Sequence, residues 1–137
     1  MKKIICLVIF CSMTLNTLAQ INSETKTEKM ERMEWWTKAR FGMFIHWGLY
    51  ALPARHEWVM SNEKMSKKTY EKYADYFDPD LYNPTQWAKL AKKAGMKYVV
   101  FTAKHHDGFT MYDSKYTNYK VTNTPYGKDV MKELVDA

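Results

Sequence analysis

The chain has 137 residues, of which 15% are aromatic and 26% charged, and a formal net charge of +6. That length fits about one domain. The lysines are dispersed among acids and apolar residues, as on solvated helix faces, which argues against a nucleic-acid partner because phosphate binding needs clustered cations.

Lys2 and Lys3 form a positive start, Ile4 to Phe10 is apolar, and Thr17-Leu18-Ala19 resembles a cleavage site before Gln20. Residues 1–19 therefore read as a secretory signal peptide. This predicts a secreted or periplasmic protein with no stable membrane association after cleavage. The apolar run is shorter than the roughly 20 residues of a spanning helix. Cys6 and Cys11, the chain's two cysteines, lie inside this segment. The mature chain then offers no thiol for a disulfide, a zinc site or a nucleophile. Residues 20–29 are polar and of mixed charge, and a flexible lead-in is expected. Met30, Met33, Trp36 and Ala39 recur at helical spacing, which predicts a first helix from near Glu28. Trp35 lies off that stripe.

Met43 to Ile45 reads as the core of a buried strand. Gly42 before it permits close backbone approach, and His46-Trp47-Gly48 closes it. Leu49 to Glu57 reads as loop, ending in the pair Glu57-Trp58. Ser66 suits the cap of a helix with Tyr70, Tyr73, Ala74 and Phe77 on one stripe, ended by Asp78-Pro79-Asp80. Asn83-Pro84-Thr85-Gln86 is a helix start, with Asn as cap and Pro in the first turn. Trp87, Leu90, Ala91 and Ala94 are predicted to form its buried face, and Gly95 its C-terminal stop. Tyr98 to Phe101 then reads as a strand buried on both faces, as in a parallel sheet. Lys104-His105-His106-Asp107-Gly108 follows at once. Two apolar runs, each with His at its carboxyl end, predict parallel strands with their His residues on one side of the sheet. The unit is βαβ with an elaborated first loop. Thr110 to Thr124 reads as a Tyr- and Asn-rich loop. Asn123 or Thr124 is expected to cap a last helix, with Pro125 near its start and Val130 and Leu134 on its apolar face. The fold class is therefore α/β. One apolar edge strand is left unpartnered, a liability in an isolated sheet. The chain is expected to be an N-terminal part of a larger protein.

In α/β folds, ligands bind at the carboxyl ends of the strands. His46, His105, His106 and Asp107 fall there. A metal reading is open, because zinc accepts His and Asp. Adjacent residues on a strand point to opposite faces, however, so paired ligands at 105 and 106 require the strand to have broken. A second reading is structural histidines satisfied by hydrogen bonds in the core. A third, which the residues favour, is a pocket for a polar small molecule. Neutral imidazoles supply donors and acceptors suited to hydroxyl groups. Trp47 reads best as core. Trp58 follows a carboxylate in a loop, which moves it toward stacking on a ligand. Glu57 reads equally as a surface charge or a pocket acceptor. Asp107 and Asp113 read as turn residues rather than catalysts.

The blocks Arg40-Phe41-Gly42-Met43-Phe44-Ile45-His46-Trp47-Gly48, Glu57-Trp58, Ala94 to Val100 and Thr102 to Phe109, in this order, resemble the N-terminal part of the α-L-fucosidases of glycoside hydrolase family twenty-nine. The likeness runs from about Trp35 to the end. It implies the first portion of a (β/α) TIM-like catalytic barrel over 30–137, truncated here. It implies retaining exo-hydrolysis of terminal α-L-fucose from glycans or glycoconjugates, with no metal and no cofactor. It also implies that His46, Glu57, Trp58, His105 and His106 bind the sugar, while the nucleophile and the acid/base lie beyond Ala137. A non-catalytic sugar-binding relative and a metal-dependent hydrolase are the alternatives.

Overall fold

A computed structural model describes residues 24–137; the signal-peptide reading lies outside them. The chain divides into two compact units, Met1–Lys38 and Ala39–Ala137. Helix α1 spans Lys26–Ala39, starting two residues before the point its apolar stripe predicts. A capping box sets that start. The Thr25 hydroxyl oxygen accepts the Glu28 N–H at 3.2 Å, and the Glu28 carboxylate accepts the Thr25 N–H at 2.8 Å. Arg32 adds a two-pronged contact to Glu24, at 2.7 and 2.9 Å. Part of the expected flexible lead-in is therefore helix. Trp35 and Trp36 meet edge to face, with centroids 5.6 Å apart.

In the second unit, strands β1 (Met43–Ile45) and β2 (Val99–Phe101) pair in parallel, with Met43 opposite Val99 and Ile45 opposite Phe101. The ladder extends both ways, through Lys97 N–H to Phe41 O at 2.8 Å and Thr102 N–H to Ile45 O at 3.0 Å. Gly42 makes room beside it: a Cβ there would lie 2.3 Å from the Tyr98 ring. The predicted parallel pair, with both His-bearing ends on one side, is present.

The connection from β1 to β2 holds more structure than its sequence suggests. A 3-10 turn occupies Leu49–Ala51 and a short helix, α2, occupies Val59–Asn62. Helix α3, Lys67–Tyr70, is capped by Ser66, whose oxygen accepts the Thr69 N–H at 3.1 Å. It tightens into 3-10 geometry over Glu71–Tyr76. Helix α4 spans Pro84–Lys93 and begins as predicted, with the Asn83 side chain accepting the Gln86 N–H at 2.9 Å. It ends in a Schellman motif: Gly95 N–H bonds Lys92 O and Met96 N–H bonds Ala91 O, both at 3.0 Å. The motif needs a left-handed residue, and Gly95 supplies φ 82°.

Two burial expectations are corrected. Within residues 24–137, Phe44 is 66% and Val99 42% exposed, so the strands are not buried on both faces. On α4 only Ala91 is fully buried, while Leu90 is 56% exposed and Ala94 is also exposed. An apolar pattern marks a surface suited to burial, and the described residues leave Phe44, Leu90, Ala94 and Val99 uncovered.

The last helix also starts elsewhere than expected. Helix α5 spans Val130–Asp136. Residues 124–127 form a turn, with Thr124 O accepting the Gly127 N–H at 3.0 Å and Gly127 at φ 65°, so neither Asn123, Thr124 nor Pro125 opens the helix. Asp129 is the cap. One carboxylate oxygen accepts the Lys132 N–H and the other the Asp113 N–H, both at 2.8 Å. Asp129→Ala removes both bonds, and a loss of about 1–2 kcal/mol is expected. Denaturant unfolding of the full-length protein would show it as a lower midpoint with an unchanged slope.

The core is built mainly by the two long connections: Leu49, Tyr50, Val59, Tyr70 and Phe77 from the first, Phe109, Met111 and Val121 from the second, and Val130 from α5. Trp47 belongs with it, ringed by Phe77, Tyr82, Trp87 and Phe101 at 5.2–6.3 Å. The well-packed region therefore lies beyond the carboxyl ends of the strands. Lys64, Lys67, Lys68, Lys72, Lys89, Lys92 and Lys93 are all exposed, as dispersed lysines on solvated faces should be. Among the described residues, no helix is long and apolar enough to cross a membrane.

Candidate functional site

His46 directly follows β1, and His105 lies four residues past the end of β2. The parallel register brings their rings together, edge to face, with centroids 4.9 Å apart. The strand has broken before His105, so adjacent histidines share one side. Their centroids are 4.7 Å apart. A turn closed by Gly108 N–H to His105 O at 3.1 Å fixes the pair, and Gly108 sits at φ 85°. Asp107 braces that turn. Its Oδ1 accepts the Phe109 N–H at 3.1 Å, and its Oδ2 accepts the hydroxyl of Tyr70 at 2.9 Å. Both Asp107 and Tyr70 are buried. Burial, followed by the nearby carboxylate, pushes the Tyr70 hydroxyl well above the usual phenol range, so it remains a donor.

Glu57 and Trp58 arrive from the first connection, held in place by the fully buried Val59 that opens α2. The Trp58 ring stacks flat on His106, with centroids 3.9 Å apart and planes 7° apart. His106 Nε2 meets the Glu57 carbonyl oxygen at 3.1 Å. A carbonyl can only accept, so Nε2 carries the hydrogen. Trp58 also lies edge-on to His105 at 5.7 Å and remains 46% exposed. All five residues named from the sequence are thus brought together. His46, Glu57 and Tyr50 line a cleft of ≈ 260 Å³, with Arg55 and His56 on its wall. Arg55 grips Glu63 with two nitrogens, one of them at 2.8 Å, so its charge is engaged away from Glu57. Asp113 accepts from Lys120 at 2.7 Å and Thr122 at 3.0 Å, which ties down the second loop. Among the described residues, no group of three or more His, Cys, Asp or Glu is arranged to hold a metal ion.

Tyr50 is the site residue that the sequence pattern did not single out. It is 6% exposed, and its hydroxyl meets His46 Nδ1 at 3.1 Å. Its ring lies 5.2 Å from His46 and 5.0 Å from His105. The available signal was Gly48: a Cβ there would come within 2.8 Å of the Tyr50 ring, so glycine lets the ring fold back toward His46.

Burial holds His105 below the usual imidazole range, helped by His106 and His46 and opposed by Asp107 and Glu57. Its Nδ1 is buried without a hydrogen-bond partner, so a proton there would be stranded. His105 is therefore neutral at neutral pH. The unfolded-state value is about 6.5. Between the folded value and 6.5 the unfolded chain binds more protons, so stability falls as pH drops through that window. Unfolding free energy measured against pH should fall more steeply below about pH 6.5 in the wild type than in His105→Asn; parallel curves would contradict this.

The profile of the alpha-L-fucosidase family matches residues 9–137. The chain belongs to that family. It is 33% identical over 117 residues to plasma alpha-L-fucosidase of Homo sapiens, an alignment covering 73% of this chain and 25% of the relative. Among solved structures, alpha-L-fucosidase isoenzyme 1 from Paenibacillus thiaminolyticus superposes with a TM-score of 0.77 at 56% identity, over 79% of this chain and 26% of that one. A family twenty-nine alpha-L-fucosidase from Bacteroides thetaiotaomicron, trapped as a covalent intermediate in complex with 2-fluoro-fucosyl fluoride, gives 0.75 at 42% identity, over 78% and 27%. The chain thus spans about a quarter of the length of the relatives it matches. Its α/β arrangement is that of family members.

Proposed function

We propose that the full-length protein is a retaining, exo-acting α-L-fucosidase, and that His46, Glu57, Trp58, His105 and His106 hold the terminal fucose of a fucosylated glycan or glycoconjugate. The observation that carries this reading is the convergence of three imidazoles, a carboxylate and an exposed indole beyond the carboxyl ends of two parallel strands. The chemistry suits a sugar. Neutral imidazoles exchange hydrogen bonds with hydroxyls, and the indole offers an apolar face. Glycoside cleavage builds positive charge on the sugar ring. An imidazolium beside it would raise the barrier, so a half-buried, neutral His105 and a nearby carboxylate suit that charge. Hydrogen bonds that strengthen as the charge develops lower the barrier rather than only KM.

Retention needs two carboxyl groups about 5–5.5 Å apart. Asp107 is committed to Tyr70 and the Phe109 N–H, and Asp113 to Lys120 and Thr122. We assign nucleophile and acid/base to residues beyond Ala137, and assign none of the chemistry to a metal or cofactor. The exposed Phe44, Leu90 and Val99 fit faces that further βα units of a TIM-like barrel would cover. The signal-like segment and the plasma relative support export. The test is to incubate the full-length protein with aryl α-L-fucoside and with aryl glycosides of other sugars. Fucoside-selective hydrolysis that first releases the α-anomer is expected. Binding without turnover would favour a non-catalytic relative, and activity abolished by a chelator would favour a metal-dependent hydrolase.

A further inference from the structure

We infer that Tyr50 is a positioning residue that fixes the His46 imidazole with its hydrogen on Nε2, so that His46 meets the sugar as a donor. The inference rests on the proposed fucose-binding role of His46. The Tyr50 hydroxyl is 3.1 Å from His46 Nδ1, and the ring packs against both His46 and His105. Thr102, the residue that extends the ladder past β2, also hydrogen-bonds to the Tyr50 hydroxyl through its side chain. A phenol is a better donor than acceptor, and an imidazole nitrogen accepts more strongly than a hydroxyl, so the phenol hydrogen goes to Nδ1, 3.1 Å away, rather than to Thr102. A neutral imidazole that accepts on Nδ1 carries its hydrogen on Nε2. The reverse arrangement would make the weakly accepting phenol oxygen the partner of an imidazole N–H and leave the phenol hydrogen to a hydroxyl, the poorer acceptor of the two. Burial, with Asp107 next, pushes the Tyr50 hydroxyl up to about 12, so it keeps its hydrogen throughout the working range.

The two outer histidines then have opposite senses. His106 gives its Nε2 hydrogen to the Glu57 carbonyl, which in a neutral ring leaves Nδ1 to accept. His46 accepts on Nδ1 and donates from Nε2. A sugar is read by one fixed donor and one fixed acceptor, which discriminates the direction of neighbouring hydroxyls better than freely rotating groups would.

The experiment has a spectroscopic and a kinetic arm, both on the full-length protein. Nitrogen NMR of labelled imidazoles, with the His46 signals assigned by their loss in His46→Gln, should show the Nε2–H tautomer in the wild type. The Nδ1–H tautomer would overturn the inference, and this arm needs neither turnover nor a folded Tyr50 variant. On an aryl α-L-fucoside, Tyr50→Phe should lower kcat/KM about tenfold, the scale of one lost hydrogen bond. In a His46→Ala background the same change should alter kcat/KM less than about twofold, because its only route of action is gone. A full-sized effect in both backgrounds would mark Tyr50 as merely structural and overturn the inference. A wild type without fucosidase activity would instead remove the proposed function, and the NMR result would still decide the tautomer.

Discussion

His105→Ala in the full-length protein is expected to lower kcat/KM for an aryl α-L-fucoside by about a hundredfold or more. His105 is the hub of the cluster, with ring contacts to His46, Tyr50, Trp58 and His106 at 4.7–5.7 Å. Truncation removes the proposed hydrogen-bonding partner for the sugar and the surface on which the other rings are set. Hydroxyl contacts that strengthen in the transition state should show in kcat as well as in KM. A variant with wild-type kcat/KM and an intact fold would remove His105 from the site.

Asp107 should behave in the opposite way, mattering for the fold more than for the chemistry. Asp107→Ala strands the buried hydroxyl of Tyr70 and the backbone N–H of Phe109. Each unsatisfied group costs about 1–3 kcal/mol, so a loss of about 2–6 kcal/mol is expected, read as a large drop in unfolding midpoint. Asp107→Asn keeps the shape and an acceptor. It should retain most of the wild-type kcat when assayed below its own unfolding transition. A folded Asp107→Asn protein with activity reduced to the level of a lost nucleophile would show that Asp107 does chemistry.

The difference between these two residues was only partly legible in the sequence. The parallel strands, the Asn83 cap, the Gly95 stop and the Ser66 cap are local chemistry, and each appears where its residues place it. The grouping of His46 with His105 and His106 follows from two apolar runs ending alike. Asp107 read correctly as a turn residue, but its bond to Tyr70 joins positions 37 apart in sequence, which no local pattern records. The role of Tyr50 depends on its ring folding back over Gly48, which no local pattern encodes. Pro125 resembles a helix opener, but the turn at Gly127 hands that role to Asp129. Phe44, Leu90 and Val99 read as buried because apolar spacing reports the surface a chain offers, not what covers it.

The most direct test of the site is a structure of the full-length protein with L-fucose bound. The sugar is expected in the cleft beyond β1 and β2. Its hydroxyls should lie within hydrogen-bond distance of His46, Glu57, His105 and His106, with the Trp58 ring against it. Fucose bound elsewhere, with these five side chains out of reach, would contradict the assignment.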